Sequence, residues 1–265
     1  MYKFDYHTPD SVDTASQLLG DLEEAKLVAG GMTLLPTMKL RLAQPDHLID
    51  MNAIGGLDGI RATSDGVEIG AMARHADVAA SQVVRGQIPA LAELASLIGD
   101  PQVRHRGTMG GSVANNDPAA DYPAGVLALN ATLRTTRREI RADDFFTDMF
   151  ETALAEDEIL LSCTFAKPAR AAYVKFPNPA SRYAIVGVFV ADFAGSVRVA
   201  VTGAAGCVFR ATDFENALGE SFVPEALDGL SVDGSEFNED LHASGEYRAH
   251  LVGVMAKRAV AAAAQ

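Results

Sequence analysis

The sequence predicts an α+β chain in two unequal parts, and three observations carry that prediction. Near the N-terminus, "AKLVAGG", "TLLPTMKLRLA" and "HLIDM" read as strand, glycine turn, helix and strand, a small βαβ unit at residues 26–51. Beyond residue 170, "AAYVKF", "YAIVGVFVADFA" and "VRVAVTGAAG" are three β-rich runs with turn signals between them, the pattern of an antiparallel sheet. Between these regions the composition shifts at "FAKPARAA", residues 165–172. That shift places one domain at 1–168, with lobes at about 1–56 and 57–168, and a second at 169–265.

Each element has a local reason. Residues 11–24 form a helix because Val12, Ala15, Leu18 and Leu19 recur at helical spacing behind Asp10 and Ser11, either of which suits the cap. In "TLLPTMKLRLA" the apolar face is Leu34, Leu35, Met38 and Leu42, and Pro36 is tolerated only in a first turn. "GIRATSDGVEIGAMAR" is a hairpin around Asp65-Gly66, and "HADVAAS" starts a helix that runs on through "IPALAELASLIG". After the glycine-rich block at 107–121 come the helix "YPAGVLALNA" and the strands "TLRTT", "REIRA" and "EILLSCTFA". The acidic stretch "VPEALDGLSVDGSEFNEDLHASGE" connects C-terminal helices over the surface, and the last helix spans Tyr247 to Ala263.

Composition excludes several function classes. With 48% hydrophobic and 22% charged residues among 265, the chain has the balance of an ordered globular protein. A net charge of −13 argues against a nucleic-acid partner, whose phosphates need clustered Lys and Arg. There is no apolar run of the roughly 18 residues that cross a bilayer, and "MYKFDYHTPDSVDT" lacks the order of a signal peptide. The cytoplasm is the expected compartment. Cys163 and Cys207 stand alone without a CxxC, so neither disulfide, metal nor iron–sulfur site is expected.

Two glycine pairs are the chemical signal. Gly30-Gly31 ends a strand and leads into a helix with Thr33 nearby, and "TMGGS" at 108–112 repeats the order of hydroxyl, apolar residue, glycine pair and hydroxyl. Paired glycines permit positive φ and remove Cβ, so successive N–H groups can converge on an anion such as phosphate. The alternative is that each pair merely ends an element. No GxGxxG and no GxxxxGK[ST] occurs, so a dinucleotide held here would need another fold. Asp121 either caps the helix that Pro123 helps to start or accepts hydrogen bonds from ribose hydroxyls. Asp117, before Pro118, reads as a cap or turn residue. Six scattered histidines make no nucleophilic triad; His105, in "RHR", is the one near the second pair and reads as a structural loop residue. Glu23-Glu24, Asp143-Asp144 and Glu239-Asp240 read as solvated turns.

At these residues the chain resembles the FAD-binding medium subunit of aerobic molybdenum hydroxylases, the family of carbon monoxide dehydrogenase medium subunits and xanthine dehydrogenase flavin domains. The resemblance runs through "FDYHTPDSVDTA", "AGGMTLLPTMKLRLAQPDHLIDM", "IGAMARHADV", "DPQVRHRGTMGGSVANNDPAADYPA" and "EYRAHLVGVMAKRAV". It implies the two-lobed fold of the vanillyl-alcohol oxidase (PCMH) class, followed by a small domain of antiparallel sheet and helices. It also implies one non-covalent FAD. The pyrophosphate falls to Ala29, Gly30, Gly31, Met32 and Thr33 and to Thr108, Gly110, Gly111 and Ser112. Asp121 matches an acidic residue near the ribose, Leu160 and Lys175 match residues that contact FAD, and Tyr183 matches an aromatic against the isoalloxazine ring. Taken alone, Tyr183 would be core and Lys175 an exposed strand charge.

The implied role is electron exit from a three-subunit enzyme, with carbon monoxide dehydrogenase favoured. A large subunit would hold the molybdenum cofactor and a small subunit the [2Fe-2S] clusters, as a dimer of heterotrimers, and FAD would pass electrons to a quinone, NAD or oxygen. Contact with a quinone pool would be peripheral, at the inner face of the membrane. No catalytic acid or base and no metal ligand is expected in this chain. Two other readings are a stand-alone flavin oxidase and a flavin-free scaffold subunit. The sequence departs from the family at Met32, where His or Gln is frequent, at His105, where Asn is common, and at "NPAS" ahead of Tyr183.

Overall fold

The computed structural model describes residues 1–264. The chain opens with β1 (Asp5–His7) and α1 (Val12–Asp21), and Ser11 caps α1 by accepting from the Thr14 N–H at 3.3 Å. β2 (Ala25–Val28), α2 (Leu34–Lys39) and β3 (His47–Asp50) form the expected βαβ unit, a parallel sheet in the order β1-β3-β2. Helix α2 stops earlier than its apolar pattern predicts. Arg41 turns left-handed at φ 62°, so Met38 is buried while Leu42 is 74% exposed rather than part of an apolar face.

The second lobe is a five-stranded antiparallel sheet covered by short helices. Its strands are β4 (Ile60–Ala62), β5 (Gly66–Gly70), β6 (Thr132–Thr135), β7 (Glu139–Arg141) and, after the small hairpin β8 (Phe146–Asp148) and β9 (Glu151–Thr152), β10 (Leu160–Ala166). Their order is β4-β5-β10-β6-β7. Helices α3 (His75–Ala80), α4 (Gln82–Gln87), α5 (Pro89–Ser96), α6 (Pro101–Arg106), α7 (Met109–Asn115) and α8 (Tyr122–Ala128) lie between β5 and β6. Two of them correct the sequence reading: "PQVRHR", with His105, and "MGGSVAN" are helices rather than loops. Asp100 caps α6 through the Val103 N–H at 2.9 Å, and Thr108 caps α7 through the Gly111 N–H at 3.1 Å. A good cap offsets about 1 kcal/mol, comparable to the cost of one glycine in a helix.

The C-terminal part is an antiparallel sheet of β11 (Arg170–Pro177), β12 (Ala184–Asp192), β13 (Val197–Thr202) and β14 (Phe209–Arg210), with helices α9 (Thr212–Glu220) and α10 (Gly245–Ala263). All nine residues of β12 are buried, because the sheet is covered on both faces. Val186, Val188 and Val190 pack with Val252, Met255 and Ala259 of α10. Phe189 and Ala191 face the other way and join the core of the second lobe with Leu91, Leu94 and Tyr122. The period-2 alternation thus welds the C-terminal sheet to α5 and α8.

Between β9 and β10, Glu158 is a buried charge with its partners supplied. Its carboxylate accepts from Thr135 Oγ1 at 2.6 Å, from Arg138 Nε at 3.1 Å and from the Ala155 N–H at 3.0 Å. Burial alone would raise its pKa, but these bonds and the Arg138 charge outweigh burial and hold it at about 2, below the usual 4.5. A depressed carboxyl contributes stability that is present above the unfolded pKa and lost as pH falls through the folded one. Glu158→Gln should therefore unfold more easily than wild type at pH 7, and the gap in urea midpoints should close between pH 4.5 and about 2. A gap that stays constant across that window would contradict the ionised network.

Candidate functional site

The two glycine pairs meet where the first lobe touches the second. A Cβ built on Gly30 would lie 2.1 Å from the Arg106 carbonyl oxygen and 2.7 Å from Gly107 Cα, so the two backbones are in direct contact there. A Cβ on Gly111 would lie 3.8 Å from Ala29 Cβ. Glycine at 30 is therefore a condition for closing the lobes, and Gly31 supplies a φ of 71° for the turn that follows.

The pairs differ in what their N–H groups do. In the second pair the Met109 N–H donates to the Ala73 carbonyl and the Gly110 N–H to the Ala71 carbonyl, both at 2.9 Å. The Gly111 N–H donates to Thr108 Oγ1, and that of Ser112 to the Thr108 carbonyl at 3.1 Å. All four donors are spent within the chain. Gly110 is small because a Cβ would stand 2.4 Å from Ala71 Cβ. Thr108 to Ser112 thus form a helix start anchored on residues 71–73, not an open anion loop. In the first pair the N–H groups of Gly30, Gly31, Met32, Thr33 and Leu34 have no acceptor among the described residues. Thr33 is exposed, and its hydroxyl makes no cap bond to α2. Five successive free donors around a glycine turn are the kind of arrangement that can receive an anion.

A side-chain network that sequence reasoning missed props this loop. Asn52 Nδ2 donates to the Ala29 carbonyl at 2.9 Å and to Asp50 Oδ1 at 2.5 Å, and the Tyr6 hydroxyl donates to Asp50 Oδ2. Burial pushes the Asp50 carboxyl up; the bonds from Tyr6 and Asn52 and the nearby Arg106 charge outweigh that and leave it below the usual carboxylate range. Asn52 thus fixes the Ala29 carbonyl at the start of the loop. No local motif marks Asn52, since the contact spans 23 residues.

Asp121 does not cap the helix, the first of the two readings that the sequence left open. It stands at the start of α8 without a cap bond, and its carboxylate is 4% exposed. It accepts from the Tyr173 hydroxyl at 2.5 Å and from Lys175 Nζ at 3.1 Å, and Lys175 also donates to the Leu97 carbonyl at 2.8 Å. Burial raises the Asp121 pKa, opposed by the Lys175 charge and both hydrogen bonds. Gly187, opposite Lys175 in the sheet, makes room for Tyr173: a Cβ there would stand 2.3 Å from the hydroxyl. Lys175 is thus an anchored buried cation rather than an exposed strand charge, with its side chain 4% exposed.

Tyr183 precedes β12 and is 44% exposed, so it is not core. Burial first, then the charges of Asp117 and Asp121, raise its pKa, opposed by the nearby Thr33. That proximity joins the C-terminal sheet to the first loop. A cleft of about 400 Å³ opens beside the ring, with Met149 and Pro118 on one wall and Asp240, His242 and Arg248 on the other. Asp117 is the expected turn residue, its Oδ1 accepting from the Ala119 N–H at 2.9 Å. Leu160 is not gathered here: it faces the second-lobe core with Leu133 and Phe165. Leu161, its neighbour on β10, instead packs against the cluster of Ile49, Met51 and Ile159, beside a register shift in the pairing of β10 with β6.

Comparison with known proteins identifies the family and the fold. Residues 2–166 match the family described as "FAD binding domain in molybdopterin dehydrogenase". The carbon monoxide dehydrogenase medium chain of Hydrogenophaga pseudoflava is 39% identical, covering 98% of this chain and 97% of its own. The nicotine 6-hydroxylase medium subunit of Paenarthrobacter nicotinovorans is 37% identical over 96% of this chain and 95% of its own. Among solved structures, reconstituted CO dehydrogenase from Oligotropha carboxidovorans superposes with a TM-score of 0.90 at 34% identity, covering 99% of each chain. These likenesses support the PCMH-type fold.

The buried ion pair yields a direct test. Lys175→Met leaves the Asp121 carboxylate without its charge partner and should cost about 3–5 kcal/mol in urea unfolding. Adding Asp121→Asn should recover most of that loss. A fully stable Lys175→Met variant would contradict the pairing.

Proposed function

Because this chain belongs to the family of FAD binding domains in molybdopterin dehydrogenases, we propose that it is the electron-exit subunit of a molybdenum hydroxylase, holding one FAD without a covalent link. The observation that carries the placement is the run of free N–H groups from Gly30 to Leu34 at the closure of the lobes. That run fits a pyrophosphate, whose oxygens need donors and no side-chain bulk. Ala29, Gly30, Gly31, Met32 and Thr33 would hold the phosphates. Thr108, Gly110, Gly111 and Ser112 would act behind them, by fixing the opposite backbone at the correct distance. Tyr183 would stand against the flavin ring, and Leu161 rather than Leu160 would offer the apolar contact at the seam.

FAD supplies the redox chemistry, accepting electrons and releasing them singly or in pairs. The chain's residues bind, orient and tune. Asp121 reaches the site through Lys175 and Tyr173, which it holds in place, rather than by touching a ribose. Burial and the adjacent carboxylates raise the Tyr183 phenol further above its ordinary pKa, away from ionisation.

Partners follow from the same reading. The molybdenum cofactor would lie on a large subunit and the [2Fe-2S] clusters on a small one, in a dimer of heterotrimers in the cytoplasm. FAD would hand electrons to a quinone, NAD or oxygen, with a quinone pool met at the inner face of the membrane. Among the described residues no helix is long and apolar enough to cross a membrane. The substrate is chosen on the large subunit, so carbon monoxide, an aldehyde, a purine or an N-heterocycle would deliver the same electrons here. Resemblance favours a carbon monoxide dehydrogenase-like complex.

The test is reduction of the flavin absorbance band in two preparations. Flavin in the complex purified with both partners should bleach when the large subunit's substrate is added, whereas this chain carrying FAD alone should not respond. Bleaching of the isolated chain by a small substrate would establish a stand-alone oxidase instead, and a chain that takes up no FAD would leave a scaffold.

A further inference from the structure

A loop of free N–H groups offers partial charges, while a pyrophosphate brings two full negative charges to a chain whose net charge is −13. The loop's own surroundings make this worse, because Asp50 stays ionised beside Ala29 through its bonds to Tyr6 and Asn52. A full positive charge at the loop would offset that repulsion and add to what the N–H groups supply. Neither Met32 nor Thr33 can supply it.

Arg106 is placed to do so. Its carbonyl oxygen is the atom against which Gly30 packs, so the residue is fixed at the rim of the loop by backbone contact. It is the last residue of α6, its side chain is exposed, and it makes no ion pair or side-chain hydrogen bond among the described residues. Its charge helps to hold the Asp50 carboxyl below the usual range, in keeping with the backbone contact that sets Arg106 beside the loop. Arg104, two residues earlier, is committed elsewhere: its Nη1 donates to the carbonyls of Ile98 and Gly99 at 2.9 and 3.1 Å.

We propose that Arg106 is the counter-ion of the cofactor's pyrophosphate and sets the preference for a dinucleotide flavin over one without phosphates. This rests on the reading of Gly30–Leu34 as the FAD site. A planar guanidinium offers two parallel donors to phosphate oxygens, which the compact lysine ammonium does not match.

The experiment is a titration of the flavin-free full chain with FAD and, separately, with riboflavin, followed by flavin fluorescence at low and high salt. Arg106→Ala should weaken FAD binding about tenfold at low salt, and the loss should shrink as salt rises. Riboflavin, lacking phosphate, should bind wild type and variant alike. Arg106→Lys should recover part of the FAD affinity, and Arg258→Ala, on the last helix, should change nothing. Undiminished FAD affinity in Arg106→Ala would overturn the proposal alone. So would an equal loss of FAD and riboflavin, or an unfolding midpoint for the flavin-free variant well below wild type, since each would mean a structural role. Failure of wild type to take up any FAD would instead remove the site reading with it.

Discussion

Gly30 and the Arg106–Gly107 backbone approach until no Cβ fits between them, and the rest of the site depends on that contact. It fixes the βαβ lobe against the α6–α7 junction and so decides where the loop from Gly30 to Leu34 faces. A single methyl group there would force a shift against main-chain atoms, which cannot move away as a flexible side chain would. The second glycine pair serves packing within the second lobe. Gly110 lets α7 sit on Ala71, and a Cβ on Gly111 would crowd the Thr108 hydroxyl at 2.8 Å. One pair exposes donors and the other consumes them, although the two look alike in one dimension.

The second constraint joins the C-terminal sheet to this seam. Asp121, Tyr173 and Lys175 form a buried triad between α8 and β11, and Gly187 on β12 exists in the space the tyrosine hydroxyl needs. With β12 covered on both faces, the sheet has little freedom to slide, and Tyr183 at its edge is held beside Thr33. If Tyr183 stands against the flavin as proposed, such rigid support would fix its distance. The polar groups of the site are accordingly set by packing, not by flexible loops.

Much of this fold was legible in the residues. The βαβ unit, the Asp65-Gly66 hairpin and the three C-terminal strands follow from apolar periodicity and turn chemistry, which act over a few residues. Helix α7 was not, because three glycines and two asparagines within "GTMGGSVANN" signal a loop until a threonine cap and contacts to residues 71–73 favour the helix. The fate of Asp121 was hidden for a similar reason: its partners lie 52 and 54 residues away. Asn52 depends on a long-range hydrogen bond and Leu161 on packing against Ile49 and Met51, neither of which leaves a local pattern. Propensity alone would have buried Tyr183, which the structure leaves 44% exposed.

The central claim is that the first glycine loop, and not the second, donates to the cofactor's phosphates. Backbone hydrogen–deuterium exchange of the full chain with and without FAD tests it at the level of single segments. Slowed exchange on FAD addition at Gly30–Leu34, with little change at Met109–Ser112 where the donors are already bonded, is the predicted result. Protection gained at Met109–Ser112 while Gly30–Leu34 still exchanges freely would contradict it.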